Sequence, residues 1–394
     1  MTIRSVIFFK ASGDPEESRR RCGRMAHRAL FVAPFLLIFL LALSVRVLYW
    51  SDARGYSVGA DEPDYVVPAQ TLVRDGRYVD TFISRNRPWT RVPLTSLFFA
   101  GSFLFVPDAA ASHAEGDEDA SMQPRYSALN LAQIALSLVT LALIMLLTAR
   151  AFPARARRAA LIAGLIAALY PPLASSPAQR ALSEPLSIML ILAALYALSW
   201  WSPDATGRRT LWVALAAGAL LGLGALTRSV AVAFLPFVWF WYFVVCYTAS
   251  ANGKRKSALR TEPEGQHAAT ERARDTVVPP LLDVMRSRLR SAAKPLTASA
   301  LTTVACLLVI APWTFYNFLQ YRSFLLLETA NATAYWNYHN YRGEDYFARL
   351  AALPDPADRL SLIVKEGTAN IIEYPERALH TSLFAFGYFW HLES

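Results

Sequence analysis

Three carboxylates fall within a few residues of one another in the segment GADEPDYVV, residues 59–67. Asp61 and Glu62 are adjacent, and Asp64 follows two positions later. A carboxylate beside a bound hydroxyl can accept its proton, so this cluster is a candidate for general-base catalysis. An Asp ahead of a proline, with another Asp in the next turn, is equally typical of a helix N-terminus, here one running toward Gly76. From the residues alone, catalysis and helix capping are both open.

Further charged residues occur where they could hold an anionic ligand beside these carboxylates. Arg91 lies in RPWTRVPL, Glu184 follows Ser183 in ALSEPL, and Arg228 lies in a short turn between two apolar segments. An acid and bases at one membrane interface suggest an anion held by arginines beside a proton-accepting carboxylate. Each residue also has a structural interpretation. Glu184 fits the start of a helix, and Arg228 fits an arginine whose head group reaches the membrane surface.

The elements that carry these residues are predicted to be membrane-spanning helices. The 394-residue chain is 54% hydrophobic and 18% charged, with a positive mean hydropathy, which is typical of a polytopic membrane protein. Apolar runs of roughly 17 to 25 residues can cross a hydrocarbon core ~30 Å thick. The sequence therefore predicts an all-α protein with seven transmembrane helices, and an eighth if the C-terminal segment also crosses. The seven are residues 30–50, 126–148, 159–175, 185–201, 211–226, 230–247 and 296–315.

The basic loops predict how the chain is oriented. Residues 150–158 carry four arginines and residues 250–295 carry ten Lys or Arg residues, which places both loops in the cytoplasm. If the apolar segment 92–107 crossed the membrane, the arginine loop would fall outside, so we predict a re-entrant or interfacial helix within one outer loop, 51–124. The chain is then a multi-pass protein of the cytoplasmic (inner) membrane. Its N-terminus is cytoplasmic, and the charged cluster lies at the outer (periplasmic) face.

Other features of the sequence narrow the class of protein. A net charge of +9 suggests nucleic acid for a soluble chain, but here the basic residues lie between apolar runs, so we expect no nucleic-acid partner. The basic leader, 1–28, precedes an apolar run that is too long for a signal peptide. We therefore predict that this run is an uncleaved membrane anchor. The three cysteines have no disulfide or metal-ligand spacing. Gly218, Gly222 and Gly224 predict close packing of helices.

Five segments, in order, resemble the GT-C superfamily of membrane glycosyltransferases, most closely family 39. That family includes protein O-mannosyltransferases and the aminoarabinose transferases that act on lipid A. The segments are GADEPDYVVPAQTLVRDGRYV, RPWTRVPLTSLFFAG, YPPLASSPAQRALSEPL, GALLGLGALTRSVAVAFLPF and APWTFYNFLQYRSFLLLETANATAYWNY, within roughly residues 29–392. The resemblance implies a basic cytoplasmic leader (1–28), a GT-C-like transmembrane module (29–315, with a cytoplasmic linker at 250–295) and an outer-face C-terminal region (316–394).

The resemblance also implies an activity. The chain would move a sugar from a polyprenyl-phosphate donor to a lipid, glycan or protein acceptor at the outer face, with inversion at the anomeric carbon. By their places in the motifs, Asp61 would be the catalytic base and Glu62 its paired acid, Arg91 and Arg228 would bind the donor phosphate, and Glu184 would be a supporting acid. Such a displacement needs a base but no general acid, because phosphate is a good leaving group. In some relatives a divalent cation assists the departing phosphate, and a metal is left open here.

The chain departs from these relatives in ways that limit the resemblance. Asp64 occupies the place of a basic residue in aminoarabinose transferases, and Thr90 the place of an acid, so neither the donor sugar nor a metal requirement follows. The sequence stops at FAFGYFWHLES, where relatives enter further spans, which suggests a short version or a truncated product. Two other classes stay open. One is a transporter or flippase of lipid-linked glycans, with midplane charges and paired broken helices, and the other is a catalytically silent membrane partner.

Overall fold

The computed structural model is built from α-helices, and the residues that it describes include no β-strand. These residues are 15–52, 61–80, 90–105, 118–203, 208–260, 281–328, 348–349 and 352–389. The helices within them are α1 Pro15–Asp52, α2 Pro63–Asp75, α3 Leu94–Phe103, α4 Glu118–Ala151, α5 Ala156–Leu169, α6 Pro171–Gln179, α7 Glu184–Leu198, α8 Arg208–Ala225, α9 Phe234–Arg260, α10 Leu281–Tyr321, α11 Pro356–Glu373 and α12 Pro375–Phe389.

Four segments are long and apolar enough to cross a membrane, namely Val32–Asp52, Tyr126–Ala151, Ser229–Ser250 and Ala293–Tyr321. A fifth would join Pro153–Leu169 to Pro171–Gln179, which meet at a bend of 49°. The bend follows from Pro171 and Pro172, because a residue that precedes proline is held extended, and Tyr170 has ψ of 114°. The chain is therefore a helical membrane protein with four to five candidate spans among its described residues.

Two of the seven predicted crossings, 185–201 and 211–226, correspond to α7 and α8, which are not among the candidate spans. α7 has 15 residues, so at 1.5 Å per residue it is about 22 Å long, shorter than the hydrocarbon core. α8 has 18 residues and begins with two arginines. α12, at the place of the eighth predicted helix, has 15 residues and is likewise not among the candidate spans of the described chain. α3, with 10 residues, is about 15 Å long and too short to cross, in keeping with the interfacial helix predicted for 92–107.

The helices after residue 184 pack around a core between α7, α8, α9 and α10. α8 lies close against α10, and the glycines of α8 are the reason. A Cβ atom on Gly218 would lie 2.2 Å from the carbonyl oxygen of Thr302, and one on Gly222 would lie 2.8 Å from that of Cys306. Only residues without a side chain permit this approach, so the close packing predicted from the glycine spacing is present.

At one end of the bundle, α2 and α3 pack across the beginning of α4. Their shared core is apolar and contains Tyr65, Val66, Phe99, Phe103 and Leu129, all at most 5% exposed. α2 buries this apolar face, so the residues just before it and in its first turn are fixed at that end of the bundle. The residues around the start of α7 and after the end of α8 reach the same end of the bundle. Ser183 contacts Tyr65 of α2, and Arg228 contacts Ser183.

Candidate functional site

α2 fixes the three carboxylates of the opening motif. The helix begins with Pro63, which needs no N–H partner in the first turn, and ends at Gly76, whose φ of 67° lies in the left-handed region. Glu62 occupies the capping position but makes no side-chain capping bond, so helix capping does not explain this carboxylate. Asp64 and Glu62 are 1% and 2% exposed, whereas the Asp61 side chain is 58% exposed. Asp61 is therefore the member of the motif that a ligand can reach.

Arg91 connects the motif to the chain before α3. Its Nη2 lies 3.3 Å from Oδ2 of Asp61, and its Nε lies 3.3 Å from Oδ2 of Asp64. Its backbone N–H donates to Oδ2 of Asp80 at 3.2 Å. Burial alone would lower the pKa of Arg91, but Tyr65, Asp64 and Asp61 outweigh it, and the net change raises that pKa. Arg91 is thus a fixed cation that orients the exposed carboxylate of Asp61.

Tyr65 lies between the two arginines of the site. The guanidinium carbon of Arg91 is 5.7 Å from the centre of its ring, within the range of a cation–π contact. On the other side, the Ser183 hydroxyl donates to the Tyr65 oxygen at 3.3 Å and accepts from Nη1 of Arg228 at 3.4 Å. Burial raises the pKa of Tyr65, and the charge of Arg91 offsets only part of that rise. The phenol therefore stays neutral at neutral pH and links the two arginines.

Glu184 and Arg228 form the second ion pair of the site. Glu184 begins α7, and Arg228 follows the end of α8, so the two helix ends bring the charges together, with Nη1 of Arg228 paired to Oε1 of Glu184. The other carboxylate oxygen, Oε2, is buried and has no hydrogen-bond partner among the described residues. The Arg228 side chain is 43% exposed, against 15% for Arg91. Arg228 is thus the arginine that is more accessible to a ligand.

Glu328 is a further acidic residue of the candidate site, and the sequence analysis did not identify it. Oε1 of Glu328 accepts a hydrogen bond from the Ser229 hydroxyl at 2.6 Å. Glu328 also contributes to the electrostatic environment of both Tyr65 and Arg91, so it lies near both. It follows α10 in the sequence, which brings the end of the last long helix to the site.

An apolar cavity of about 210 Å³ lies beside Glu184, between α1, α4, α5, α6 and α7. Apart from Glu184, its walls are mostly apolar and include Leu141, Ile144, Pro185 and Ile188. Arg46, Ser137 and Thr140 also line the cavity, but they donate hydrogen bonds to backbone carbonyls, so the cavity suits a hydrocarbon segment better than a polar group. The paired carboxylate of Glu184 thus lies where a polar surface meets an apolar cavity.

Arg46 also lines this cavity, and it is 1% exposed within the first candidate span. Its Nε donates to the Ser137 hydroxyl at 2.6 Å, and its other nitrogens donate to the carbonyl oxygens of Ala42, Ala168 and Leu173 at 3.0 to 3.4 Å. Ala168 and Leu173 flank the bend between α5 and α6. Arg46 therefore supplies donors to backbone carbonyls where the helix is broken, which satisfies groups that the bend leaves without intrahelical partners.

The described residues do not form a metal centre. No group of three His, Cys, Asp or Glu side chains among them lies close enough to share an ion. Asp61 and Asp64 are both ion-paired with Arg91.

The structure brings four of the five predicted site residues into two ion pairs at one end of the bundle, Asp61 with Arg91 and Glu184 with Arg228. Glu62 is close in sequence but buried, and its predicted part in catalysis stays a prediction. Sequence reasoning missed Tyr65, Asp80 and Glu328. Tyr65 could have been predicted, because it lies four residues, about one helical turn, after Asp61. No sequence pattern relates the distant Glu328 to these residues. Comparison with known protein families, with curated proteins and with solved structures finds no match to this chain.

Proposed function

We propose that this protein is a glycosyltransferase that moves a sugar from a polyprenyl-phosphate donor to an acceptor hydroxyl or phosphate at the membrane surface. The observation that carries the proposal is the exposed Asp61 carboxylate, which a partly buried arginine orients, next to a second, more exposed arginine and an apolar cavity. Those are the groups that the reaction requires: a base, a phosphate site and a place for hydrocarbon.

In the proposed reaction, Asp61 is the general base. An acceptor oxygen attacks the anomeric carbon while its proton passes to the carboxylate of Asp61, and the bond between that carbon and the phosphate oxygen breaks. The electron pair leaves on the phosphate, and the configuration inverts. Arg91 holds Asp61 in place through its Nη2, and Asp64 and Asp80 hold Arg91. A base held in this way needs little reorganisation when the acceptor binds.

Arg228 is the main phosphate-binding residue in this proposal. Its guanidinium is more exposed than that of Arg91, and a fixed cation stabilises the charge that develops on the departing phosphate. Glu184 holds Arg228 through Oε1, and its buried Oε2 has no hydrogen-bond partner among the described residues. Arg91 adds positive charge to the candidate site. Its direct contact with the donor phosphate stays a prediction.

The membrane arrangement in this proposal keeps seven crossings, with α7 and α8 crossing as short helices packed inside the bundle. The basic loops then face the cytoplasm, and the site lies at the outer face of the cytoplasmic membrane. The apolar cavity beside Glu184 would hold the part of the polyprenyl chain nearest the phosphate. The acceptor is a lipid, glycan or protein, and the proposal requires no metal.

A second candidate, a transporter or flippase of lipid-linked glycans, is favoured by one observation. Arg46 is a buried charge within a candidate span, and it lies at a bend between two helices, which are features of transport pathways. Against it, the hydrogen bonds of Arg46 go to Ser137 and to backbone carbonyls, which gives it a structural role.

The experiment that tests the proposal uses purified protein reconstituted in vesicles with a panel of polyprenyl-phosphate sugars. A transferase cleaves the donor, so free polyprenyl phosphate should appear, faster when an acceptor is present. A flippase would move the intact donor between leaflets without cleaving it. Movement without release of polyprenyl phosphate, for every sugar in the panel, contradicts the proposed function.

A further inference from the structure

A second, larger apolar groove shares none of its lining residues with the cavity beside Glu184. Its volume is about 1130 Å³, and it runs between the last turns of α4 and α7 and the first turns of α9. Its walls are the apolar side chains Leu147, Leu195, Leu198, Phe234, Phe237, Val238 and Trp241. From Phe234 to Trp241 the groove follows α9 for about 10 Å, the length of part of an acyl chain.

One end of this groove opens onto a cluster of arginines. Arg150 is part of the groove wall, and Pro153 lines both the groove and an adjoining surface depression of about 730 Å³. That depression is lined by Arg155, Arg157 and Arg158, all exposed. The arginines thus lie at one end of the apolar groove.

Arg150 is held in a fixed position at this junction. Its guanidinium carbon lies 4.0 Å from the ring centre of Trp200, and its Nη2 donates to the Ser199 carbonyl at 2.6 Å. The guanidinium of Arg209 approaches the same indole at 5.6 Å. No acidic side chain in the described part of the chain forms an ion pair with Arg150, Arg155 or Arg158. Arg150, Arg155 and Arg158 thus gather like charge without a carboxylate partner among the described residues.

We infer that this groove is a binding site for an acidic membrane phospholipid. One acyl chain would lie along the apolar wall between α4, α7 and α9. The phosphate of the head group would lie at Arg150, Arg155 and Arg158, whose guanidinium groups match its oxygens and pair with no carboxylate in the described part of the chain. The arginines lie at the ends of α4 and α7 opposite the carboxylate cluster, while the α9 wall of the groove begins at Phe234, a short distance along the chain after Arg228. The inference does not depend on the proposed transferase activity.

Membrane orientation alone would explain the arginines, but not their position. A basic loop orients a chain by its charge wherever that charge lies in the loop. Here Arg150 is fixed between Trp200 and Ser199, at the mouth of a groove shaped for a chain. The combination of an apolar groove with a fixed cation at its end is what a lipid with an anionic head group requires.

The experiment compares lipids that differ only in head group. Purified full-length protein in neutral detergent is titrated with phosphatidylglycerol or with phosphatidylcholine of the same acyl chains, and bound lipid is counted by native mass spectrometry. We expect phosphatidylglycerol to bind and to raise the Tm, and phosphatidylcholine to do neither. Replacing Arg150, Arg155 and Arg158 with Gln should weaken phosphatidylglycerol binding about a hundred-fold, since each basic residue near a lipid surface contributes roughly 1 kcal/mol.

The matched control replaces Lys254, Arg255 and Lys256 with Gln, which removes the same charge from another basic segment and should leave binding unchanged. Leu195→Trp places an indole in the groove without changing the charge and should also weaken binding, which keeps the test decisive if the triple variant does not fold. Equal binding of phosphatidylcholine, equal losses in both triple variants, or equally tight binding of free glycerol phosphate would each overturn the inference.

Discussion

Replacing Asp64 with Asn tests the claim that a buried ion pair builds the candidate site. Asp64 is 1% exposed, and its Oδ2 lies 3.3 Å from Nε of Arg91, whose side chain is 15% exposed. At that distance and an effective dielectric constant of 20, the attraction is about 5 kcal/mol. Asp61 still faces Arg91 in the variant and recovers part of this, so we expect a loss of about 3 kcal/mol, in the range found when one partner of a buried pair is removed.

The assay is thermal unfolding of the purified protein in detergent, followed by the loss of monodisperse protein. For a chain of this size, 3 kcal/mol corresponds to a fall in Tm of about 4 °C. The matched control is Asp75→Asn, because Asp75 lies on the same helix and pairs with Arg74 at 2.8 Å, but at the surface. Pairs exposed to solvent contribute little, so the control should unfold like the parent protein. Equal Tm values for the Asp64 and Asp75 variants would refute the argument from burial.

Two further predictions concern the phosphate site and the helix packing beneath it. Arg228→Gln should lower kcat/KM for a polyprenyl-phosphate sugar about a hundred-fold, as the loss of one charge-stabilising donor does in other sites. The control Arg74→Gln should leave kcat/KM unchanged. Equal effects of the two substitutions would contradict the role of Arg228. Gly218→Ala should destabilise the protein by about 2 kcal/mol, because its Cβ would lie 2.2 Å from the Thr302 carbonyl oxygen. Gly101→Ala, where the Cβ meets nothing within 4 Å, should be neutral or stabilising in the same Tm measurement.

The helical architecture followed from the sequence where the pattern was long. The apolar runs at 30–50, 126–148, 230–247 and 296–315 correspond to the four candidate spans. Spans at 185–201 and 211–226 do not follow from length and composition, because α7 is short and α8 begins with arginines. The bend at Tyr170 was not predicted, although the Pro171–Pro172 pair that causes it is plain in the sequence.

The grouping of charges at the candidate site could be predicted in part because these charges lie near the ends of apolar runs. Asp61, Glu184 and Arg228 lie at such ends, and the structure gathers them at one end of the bundle. The contact between Arg91 and Asp80 could not be predicted in this way, because Asp80 lies outside the helices and no periodic pattern relates it to Arg91. Burial of Glu62 was equally hidden, since it depends on packing around α2 and not on the local pattern.

The role of Asp61 is tested by measuring sugar transfer by Asp61→Asn in vesicles with the donor that the parent protein cleaves. The parent protein and Asp75→Asn serve as controls. Asparagine keeps the size of the side chain but cannot accept the proton. We expect transfer to fall by a factor of about 100 to 10,000, the usual contribution of a general base. The Tm should change by little, because Asp61 is largely exposed. Full transfer activity in a folded Asp61→Asn protein would contradict the assignment of Asp61 as the base.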